Sequence, residues 1–405
     1  MPYQTFINPR DIYYGPGALE SLSKVTIKRA LIVTDPGVRD LGLIDRVEKL
    51  IRLQDAEVAV FDQVEADPSR DTAYQIFLMA QDFKPDTFIG LGGGSSIDAG
   101  KAGWVFYEHP DLAEMPLLDV QVEVPKRSLR NKATYIAIPT TSGTGSEVTA
   151  VAVITDRDEK PPLKVGIATP QMKPDIAIAD PELSASMPPA VTANTGFDAL
   201  VHAIECYVLN PPSDMVDSLC IWPAKTIFEW LPEAVNNGQN MTARDKMHIA
   251  ALQAGMAFGN GRLGIVHVLS HEISAIFRVP HGRANAFMLC PCFAFLFATH
   301  QARLSRLAEL LGYKGDDDRA KVENLIIGLN ELKASIGIPQ AMNAEVEDTD
   351  FNAQLEPMLH SYSYYMGARL KGVSDENKRA GGWPVAIEEV KALYTHAFNG
   401  TRVAF

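Results

Sequence analysis

Residues 90–102, GLGGGSSIDAGKA, decide the fold of the N-terminal half. They continue an apolar, strand-like run through three glycines and two serines into a segment with helical spacing. Glycine lets a phosphate approach the backbone closely, and the free N–H groups at the start of a helix carry partial positive charge. A strand, a Gly-rich turn and a helix in this order are typical of a nucleotide site in an α/β sheet.

The loop departs from both of the best-known phosphate-binding patterns. The dinucleotide fingerprint GxGxxG would need a glycine in place of Ile97. The P-loop would need a glycine at Ser95 and a hydroxyl residue at Ala102. Taken alone, the loop is therefore as compatible with a plain Gly-rich turn as with a nucleotide site.

Around this loop, short apolar runs alternate with amphipathic segments. Strands are predicted at residues 30–35, 58–62, 87–92, 135–139 and 175–180. Helices are predicted between them, for example at residues 41–53 and 71–83. Strands that are apolar along their whole length are expected where both faces of a sheet are covered. The alternation predicts a Rossmann-like α/β domain with a parallel, doubly wound sheet.

Two further segments favour a dinucleotide over a plain turn. Residues 139–150, PTTSGTGSEVTA, also follow a strand and also gather glycines and hydroxyl groups. Asp35 ends an earlier strand in VTDPG, where its carboxylate could bind a ribose hydroxyl and repel a 2′-phosphate. Loops at the carboxyl ends of neighbouring parallel strands lie at one edge of the sheet. The three segments together predict NAD rather than NADP.

The composition changes after residue 180. Pro181, Pro188 and Pro189 interrupt the chain, and beyond them helical spacing replaces strand patterns. We expect a dinucleotide-binding α/β domain at residues 1–186 and an all-α, metal-binding catalytic domain at residues 187–405. Its helices are predicted at residues 190–207, 215–231, 243–258, 266–277, 284–299, 302–311, 320–336 and 386–398.

Five of the nine histidines fall within residues 194–282. One of them, His248, is isolated, and the other four, His202, His267, His271 and His281, gather in the opening and closing segments of this stretch, an unusual concentration. Asp198 and His202 are four residues apart, as are His267 and His271, so each pair shares one helix face. A divalent metal explains this crowding, and a mixed carboxylate and imidazole set suits Fe²⁺ or Zn²⁺. Not every candidate need be a ligand; the preferred set is Asp198, His202, His267 and His281. His271, one turn from a ligand, is then available to relay a proton.

The overall composition limits the classes of partner. A formal net charge of −13 argues against nucleic acid. The N-terminus lacks a signal-like pattern, and the apolar run at residues 286–298 is broken by Pro291 and too short to cross a bilayer. The four cysteines show no CxxC pair and are expected to be free thiols. We expect a soluble, cytoplasmic protein without a membrane partner.

Together, these motifs resemble the iron-dependent (group III) alcohol dehydrogenases, and the likeness runs nearly end to end. It rests on GPGALESL, VTDPG, GGGSSIDAGK, PTTSGTGSEVT, GFDALVHAIE and the PHG corner that contains His281. The resemblance implies an NAD(H)-dependent alcohol dehydrogenase or aldehyde reductase acting on a primary alcohol and its aldehyde. It also implies Fe²⁺ ahead of Zn²⁺ as the metal, and a homodimer or larger homo-oligomer.

The resemblance also gives roles to individual positions. Asp198, His202, His267 and His281 become the metal ligands, Asp35 meets the adenosine ribose, and His271 passes a proton to solvent. The cofactor is expected to lie along Gly93, Gly94, Ser95, Asp98, Thr140, Thr141, Thr144, Lys164 and Phe258.

The sequence departs from the family pattern near the metal motif. Arg262, Arg278 and Arg283 stand where small or apolar residues are common, and Asp67 replaces a usual asparagine. A solvent or subunit face is the ordinary explanation for such arginines. Because the arginine fork suits carboxylates and sulfonates, we also hypothesise a small anionic substrate such as sulfoacetaldehyde.

Two other functions stay open at this point. One is a metal- and NAD-dependent lyase or cyclase of the dehydroquinate synthase type, in which the hydride is returned to the substrate. The other is a non-catalytic NAD-binding protein. A net change in NADH absorbance with turnover separates a dehydrogenase from both.

Overall fold

The computed structural model describes residues 5–158, 162–384 and 386–401. The chain forms two compact units. The first contains Met1–Pro188 and Gly238–Asn260, and the second contains Pro189–Asn237 and Gly261–Phe405. The chain thus first leaves the α/β unit two residues after position 186 and later returns to it for one helix.

The first unit contains eight described strands. These are β1 (Asp11–Tyr14), β2 (Arg29–Val33), β3 (Glu57–Phe61), β4 (Thr87–Gly92), β5 (Thr134–Pro139), β6 (Val151–Asp156), β7 (Leu163–Ala168) and β8 (Ile176–Ala179). Six form one sheet in the order β1-β8-β5-β4-β2-β3, with every pair parallel. β6 and β7 form a separate antiparallel hairpin. The prediction of a parallel, doubly wound sheet is confirmed.

Burial on both faces explains why these strands read as continuous apolar runs. In β2, Leu31 and Val33 belong to one buried cluster, while Ala30 and Ile32 belong to another. Successive strand residues point to opposite faces, so the two clusters lie on the two sides of the sheet. The edge strand β1 was not predicted, because its short DIYY segment (residues 11–14) has no apolar run and pairs only with β8.

The helices of the first unit connect the strands and cover the sheet. They begin with α1 (Pro36–Asp40), α2 (Leu43–Arg52), α3 (Arg70–Phe83), α4 (Gly94–Glu108), α5 (Pro110–Ala113) and α6 (Leu117–Glu123). The N-terminus of α3 is capped by the Ser69 side chain, which accepts a hydrogen bond from the backbone N–H of Thr72. α4 instead begins after Gly93, which has no side chain to cap it.

The remaining helices follow the boundary at residue 188. They are α7 (Pro189–Leu209), α8 (Asp214–Asn236), α9 (Met241–Phe258), α10 (Ile265–Phe277), α11 (His281–Leu310), α12 (Asp318–Ser335), α13 (Asp348–Arg369), α14 (Asp375–Ala380) and α15 (Ile387–Asn399). Of these, α9 belongs to the first unit. The described part of the second unit contains no strand, so the all-α prediction is confirmed.

The segments predicted at 284–299 and 302–311 correspond to the two parts of α11, which are separated by a kink where His300 has non-helical backbone angles. α13 was not predicted, because its run of Ser and Tyr residues offers no continuous apolar stripe.

α11 is central to the second unit. By length and composition alone it is the one described helix that could cross a membrane. It packs against α7, α10, α12 and α15. Of its most apolar stretch of 18 residues, 72% is buried inside the protein. A core helix of this kind has the same apolar composition as a membrane span, and the packing accounts for it.

Candidate metal and cofactor sites

Three helices of the second unit bring the predicted metal ligands together. α7 carries Asp198 and His202 one turn apart, α10 carries His267, and α11 begins at His281. The Nε2 atoms of His202, His267 and His281 lie 3.8, 3.7 and 3.9 Å from Oδ1 of Asp198. One carboxylate oxygen thus faces three imidazole nitrogens. The ligand atoms of Asp198, His267 and His281 all lie within 4.8 Å of one another, whereas His202 lies outside this set although it is near Asp198.

A glycine next to His281 allows this approach. A Cβ on Gly282 would collide with the carbonyl oxygen of Asn194 and lie 2.9 Å from Cβ of Asp198. The first turn of α11 therefore touches α7 at backbone distance, which no larger residue permits. This contact fixes His281 beside Asp198.

Glu205 is part of this site, although the sequence reasoning missed it. Its Oε2 accepts a hydrogen bond from Nδ1 of His267 at 2.6 Å, and its Oε1 accepts one from the backbone N–H of Val266 at 2.7 Å. A carboxylate on Nδ1 leaves Nε2 as the ligating nitrogen. The signal was present in the sequence, because Asp198, His202 and Glu205 at i, i+4 and i+7 share one face of α7.

Asn285 is a second residue that the sequence reasoning missed. It is fully buried one turn after His281, and its Nδ2 lies 2.7 Å from Oδ1 of Asp198. The same nitrogen lies 3.2 Å from Nε2 of both His267 and His281. An amide nitrogen with two positively polarised N–H groups thus sits where three lone-pair donors meet. A cation would meet the same three atoms, so the donor set fits a divalent metal.

The charges of the site are strongly coupled. Burial alone would raise the pKa of Asp198, but the neighbouring imidazoles of His202, His267 and His281 hold it well below its usual range. Burial alone would lower the pKa of His267, but the nearby carboxylates of Asp198 and Glu205 raise it to about 9. Because a ligating imidazole must be neutral, protons compete with a metal here, and metal affinity falls as the pH falls.

His271, the predicted proton relay, lies next to this ligand group. It is one turn beyond His267 on α10, and its ring centroid is 4.7 Å from that of His281. His271 is therefore adjacent to the predicted ligand His281 without belonging to the group of side chains that surrounds Asp198.

The three arginines near the metal motif differ in their hydrogen-bond partners and in their exposure to solvent. Arg262 donates from Nε and Nη2 to the carbonyl oxygen of Leu209, the last residue of α7, at 3.0 and 2.6 Å. Arg283 donates to Oδ1 of Asn194 at 3.0 Å and pairs with Glu345. Arg278 is exposed at the end of α10. Arg262 and Arg283 therefore already have acceptors within the second unit.

The predicted cofactor loops meet at one edge of the sheet in the first unit. β4 and β5 are paired, and the N–H of Thr140 donates to the carbonyl of Gly92 at 2.9 Å. A Cβ on Gly94 would lie 2.8 Å from Cγ2 of Thr144, and one on Gly93 would lie 3.4 Å from Cγ2 of Thr141. The two Gly-rich loops are thus in direct contact, as the sequence predicted.

Asp35 lies at the carboxyl end of the next strand, β2. Its Oδ2 accepts a hydrogen bond from Oγ of Ser96 at 2.9 Å, and its Oδ1 accepts one from the N–H of Val38 at 3.1 Å. The chain order along the sheet reverses between β2 and β4. Such a reversal is where doubly wound sheets bind nucleotides.

Other predicted cofactor residues have partners within the first unit. Oγ of Ser95 donates to the carbonyl of Ala66 at 2.7 Å, and Nζ of Lys164 lies 3.0 Å from Oδ1 of Asp67. Asp98 is buried and accepts a hydrogen bond from the N–H of Val153 at 3.0 Å. Burial raises the pKa of Asp98. Asp98 is therefore placed to hold the hairpin β6–β7 against α4.

Helix α9 brings Phe258 to the second loop. A Cβ on Gly145 would lie 2.5 Å from Cα of Gly255 in α9 and 3.3 Å from Cε1 of Phe258. In the same loop, Oγ of Ser142 is 2.9 Å from Nδ1 of the buried His248. Phe258, expected to lie along the cofactor, is thus adjacent to residues 139–150, and this contact explains why α9 belongs to the first unit.

Lys101 is a further residue whose role was missed. Its buried Nζ donates to the carbonyl oxygens of Ser146, Thr149 and Val151 at 2.7, 2.8 and 3.0 Å. Burial lowers the pKa of Lys101 to about 8. Lys101 therefore connects α4 to the second Gly-rich loop and the start of β6.

A substitution at Glu205 tests whether it positions a metal ligand. Glu205→Gln weakens the fixed tautomer of His267, so we expect metal affinity to fall about 10- to 100-fold. The measurement is a competition titration with a chelating dye, run beside Glu229→Gln, an exposed position on α8. Equal affinities in wild type and Glu205→Gln would show that the contact is only structural.

Comparisons with known proteins place this geometry in a family. The iron-containing alcohol dehydrogenase family matches residues 9–181, and the C-terminal Fe-containing alcohol dehydrogenase family matches residues 192–360. An NADPH-dependent butanol dehydrogenase of Clostridium saccharobutylicum is 36% identical, with 99% of each chain covered. An NAD-dependent methanol dehydrogenase of Bacillus methanolicus is 35% identical, covering 86% of this chain and 92% of the relative.

A solved structure shares the fold over nearly the whole chain. It is a sulfoacetaldehyde reductase of Bifidobacterium kashiwanohense in complex with NAD⁺, which is 25% identical with a TM-score of 0.80. The match covers 98% of this chain and 99% of that one. With both family regions matched and a relative aligned along its full length, the chain belongs to the iron-containing alcohol dehydrogenase family.

Proposed function

We propose that this protein interconverts a primary alcohol and its aldehyde by hydride transfer to and from NAD(H), with one divalent metal in the second unit. One observation carries the proposal: three imidazole nitrogens lie 3.7–3.9 Å from one oxygen of the buried Asp198. Family membership favours Fe²⁺, although the donor set also suits Zn²⁺.

A divalent ion held by Asp198, His202, His267 and His281 would act as a Lewis acid toward the substrate oxygen. The remaining work falls to residues of the chain. Glu205 holds a proton on Nδ1 of His267, so that Nε2 is the nitrogen that faces the metal position. We assign the transfer of the alcohol proton toward solvent to His271, and the proximity of its ring to that of His281 supports this role.

Substitution of a ligand tests the metal requirement. Asp198→Ala or His267→Ala removes one donor and leaves a buried group without its partner. We expect no Fe²⁺ or Zn²⁺ retained after reconstitution, and turnover reduced by more than about a thousandfold, or ~4 kcal/mol of transition-state stabilisation. Metal content is measured by mass spectrometry and turnover by NADH absorbance. His360→Ala, at an exposed histidine of α13, is the control. Full activity in a variant that is shown to contain no metal would contradict the proposal.

The choice of NAD over NADP rests on Asp35. A carboxylate at the end of β2 can accept a hydrogen bond from a ribose hydroxyl and would repel a 2′-phosphate. The relatives do not decide the matter, because one is named NADPH-dependent and another NAD-dependent.

Asp35→Ser tests this choice without removing the helix cap, because a serine hydroxyl can still accept from the N–H of Val38. We expect kcat/KM for NADH to fall about tenfold and kcat/KM for NADPH to rise, since the repulsive charge is gone. Asp40→Ser, at an exposed carboxylate in the same short helix, is the matched control. An unchanged NADH to NADPH ratio would remove Asp35 from the cofactor site.

The substrate itself is proposed as a small primary alcohol or aldehyde. Relatives are named for butanol and methanol, and one structural neighbour for sulfoacetaldehyde. The partners of Arg262 and Arg283 within the second unit support a neutral substrate ahead of an anionic one. The anionic hypothesis stays a prediction.

The turnover ratio of sulfoacetaldehyde to propanal tests the anionic hypothesis. If Arg262 binds the sulfonate, Arg262→Ala lowers this ratio at least about tenfold, because a charge-assisted hydrogen bond is lost. The ratio of the two turnover rates does not depend on the amount of folded enzyme. Any destabilisation caused by losing the hydrogen bonds from Arg262 to Leu209 therefore leaves the test valid. Arg306→Ala, at an exposed arginine of α11, serves as the control. An unchanged ratio rules Arg262 out as the anion contact.

The lyase or cyclase alternative is not favoured, because the matched relatives are named as dehydrogenases. Net oxidation of NADH by an aldehyde distinguishes the two, since a cyclase returns its hydride. The expected cytoplasmic location, homo-oligomeric state and lack of nucleic-acid or membrane partners stay predictions.

A further inference from the structure

The second unit contains a cavity of about 460 Å³ that the metal site does not use. Its walls come from α11, α12, the end of α15 and the residues just after it. This volume falls within the ~300–1,000 Å³ typical of small-molecule sites.

The cavity and the metal site lie on roughly opposite sides of α11. The helix contributes Phe287, Cys290, Pro291 and Ala294 to the cavity, at the i, i+3, i+4 and i+7 spacing of one face. The metal face of α11 contains His281 and Asn285, one turn apart. At 3.6 residues per turn the two faces are well separated, so the cavity is a distinct site.

A buried lysine gives the cavity its chemistry. Lys333 on α12 is 1% exposed and lines the cavity. Its Nζ has two long contacts, each 3.4 Å, to the carbonyl oxygens of Ala286 and Gln340. In the part of the chain that the structure describes, no carboxylate pairs with this ammonium group. A buried charge without a counter-charge is costly, and burial lowers the pKa of Lys333.

The rest of the lining combines an apolar wall with polar and charged positions, namely Arg319, Glu323, Asn330, Gln340, His396 and Thr401. Glu323 is ten residues before Lys333 on α12, roughly 15 Å along the helix axis, so its carboxylate is remote from the ammonium group. Phe287, Pro291, Ile326 and Ile327 provide hydrocarbon surface. Oδ1 of Asn330 accepts a hydrogen bond from Sγ of Cys290 at 3.6 Å, so the amide N–H₂ of Asn330 is a second donor on this wall. A cationic donor, an amide donor and an apolar wall together match a short carboxylate with a hydrocarbon tail.

We propose that this cavity binds a small monocarboxylate, with its carboxylate at Lys333 and Asn330 and its hydrocarbon chain against Phe287, Pro291 and Ile326. The ligand supplies the negative charge that Lys333 lacks among the described residues. The proposal does not rest on the dehydrogenase activity, because none of these residues belongs to the metal or cofactor sites.

Calorimetric titration of the full-length enzyme with hexanoate tests the proposal. We expect saturable binding with a Kd of ~1 mM or tighter. Hexanamide, which has the same shape without the charge, should bind at least about tenfold more weakly. Lys333→Met, which keeps an apolar stem of similar length, should weaken hexanoate binding at least about tenfold. Lys321→Met, at a surface lysine of α12 that pairs with Glu309, should leave it unchanged.

Hexanoate could instead bind at the metal site, and Asp198→Ala separates the two. Binding that persists in Asp198→Ala supports the cavity, whereas binding lost in that variant overturns the proposal. Equal affinity in wild type and Lys333→Met, or no saturable binding to wild type, overturns it as well.

A second measurement needs no variant. Cys290 lines the cavity and is partly exposed, while Cys206, Cys220 and Cys292 are buried. We expect hexanoate, but not hexanamide, to slow the alkylation of Cys290 by iodoacetamide, followed by mass spectrometry. An unchanged alkylation rate at a saturating hexanoate concentration contradicts the proposal even if Lys333→Met fails to fold.

Discussion

The second unit depends on one constraint: the carboxylate of Asp198 is buried and must be neutralised. Three imidazoles and one amide turn toward it, and the hydrogen bond between His267 and Glu205 extends the network to the start of α10. A buried charge left unpaired would cost several kcal/mol, so α7, α10 and α11 are held to one arrangement. The arrangement of side chains that suits a metal ion also compensates the buried charge of Asp198.

Close backbone contacts make both sites possible. Gly282 lets α11 touch α7 beside the proposed metal ligands, and Gly145 lets the second Gly-rich loop touch α9. A side chain at either position would push apart the elements that hold the functional groups. Lys101 also holds the second Gly-rich loop in position, because its ammonium group donates hydrogen bonds to three backbone carbonyl oxygens. The positions of the functional groups are therefore fixed mainly by close contacts between backbone segments, not by long side chains.

Much of the fold could be predicted because the spacing of apolar residues along a segment indicates whether that segment forms a strand or a helix. The apolar strands β2, β4, β5 and β8 stand out since both sheet faces are covered, and most helices show an apolar stripe. The elements that were missed lack such patterns. β1 exists because it pairs with β8, and α13 exists despite the polar and aromatic run within it. Tertiary contacts, not propensity, stabilise both.

Residue spacing is enough to show that Asp198 shares a helix face with His202, and His267 with His271. It also shows that Gly-rich loops follow β4 and β5. Packing between elements is what brings Glu205 to His267 and Asn285 among the predicted ligands, and what gives Asp98 and Arg262 partners within their own units. Spacing along a chain fixes direction around one helix or strand. Which face of another element lies opposite is set by packing, and periodicity does not encode it.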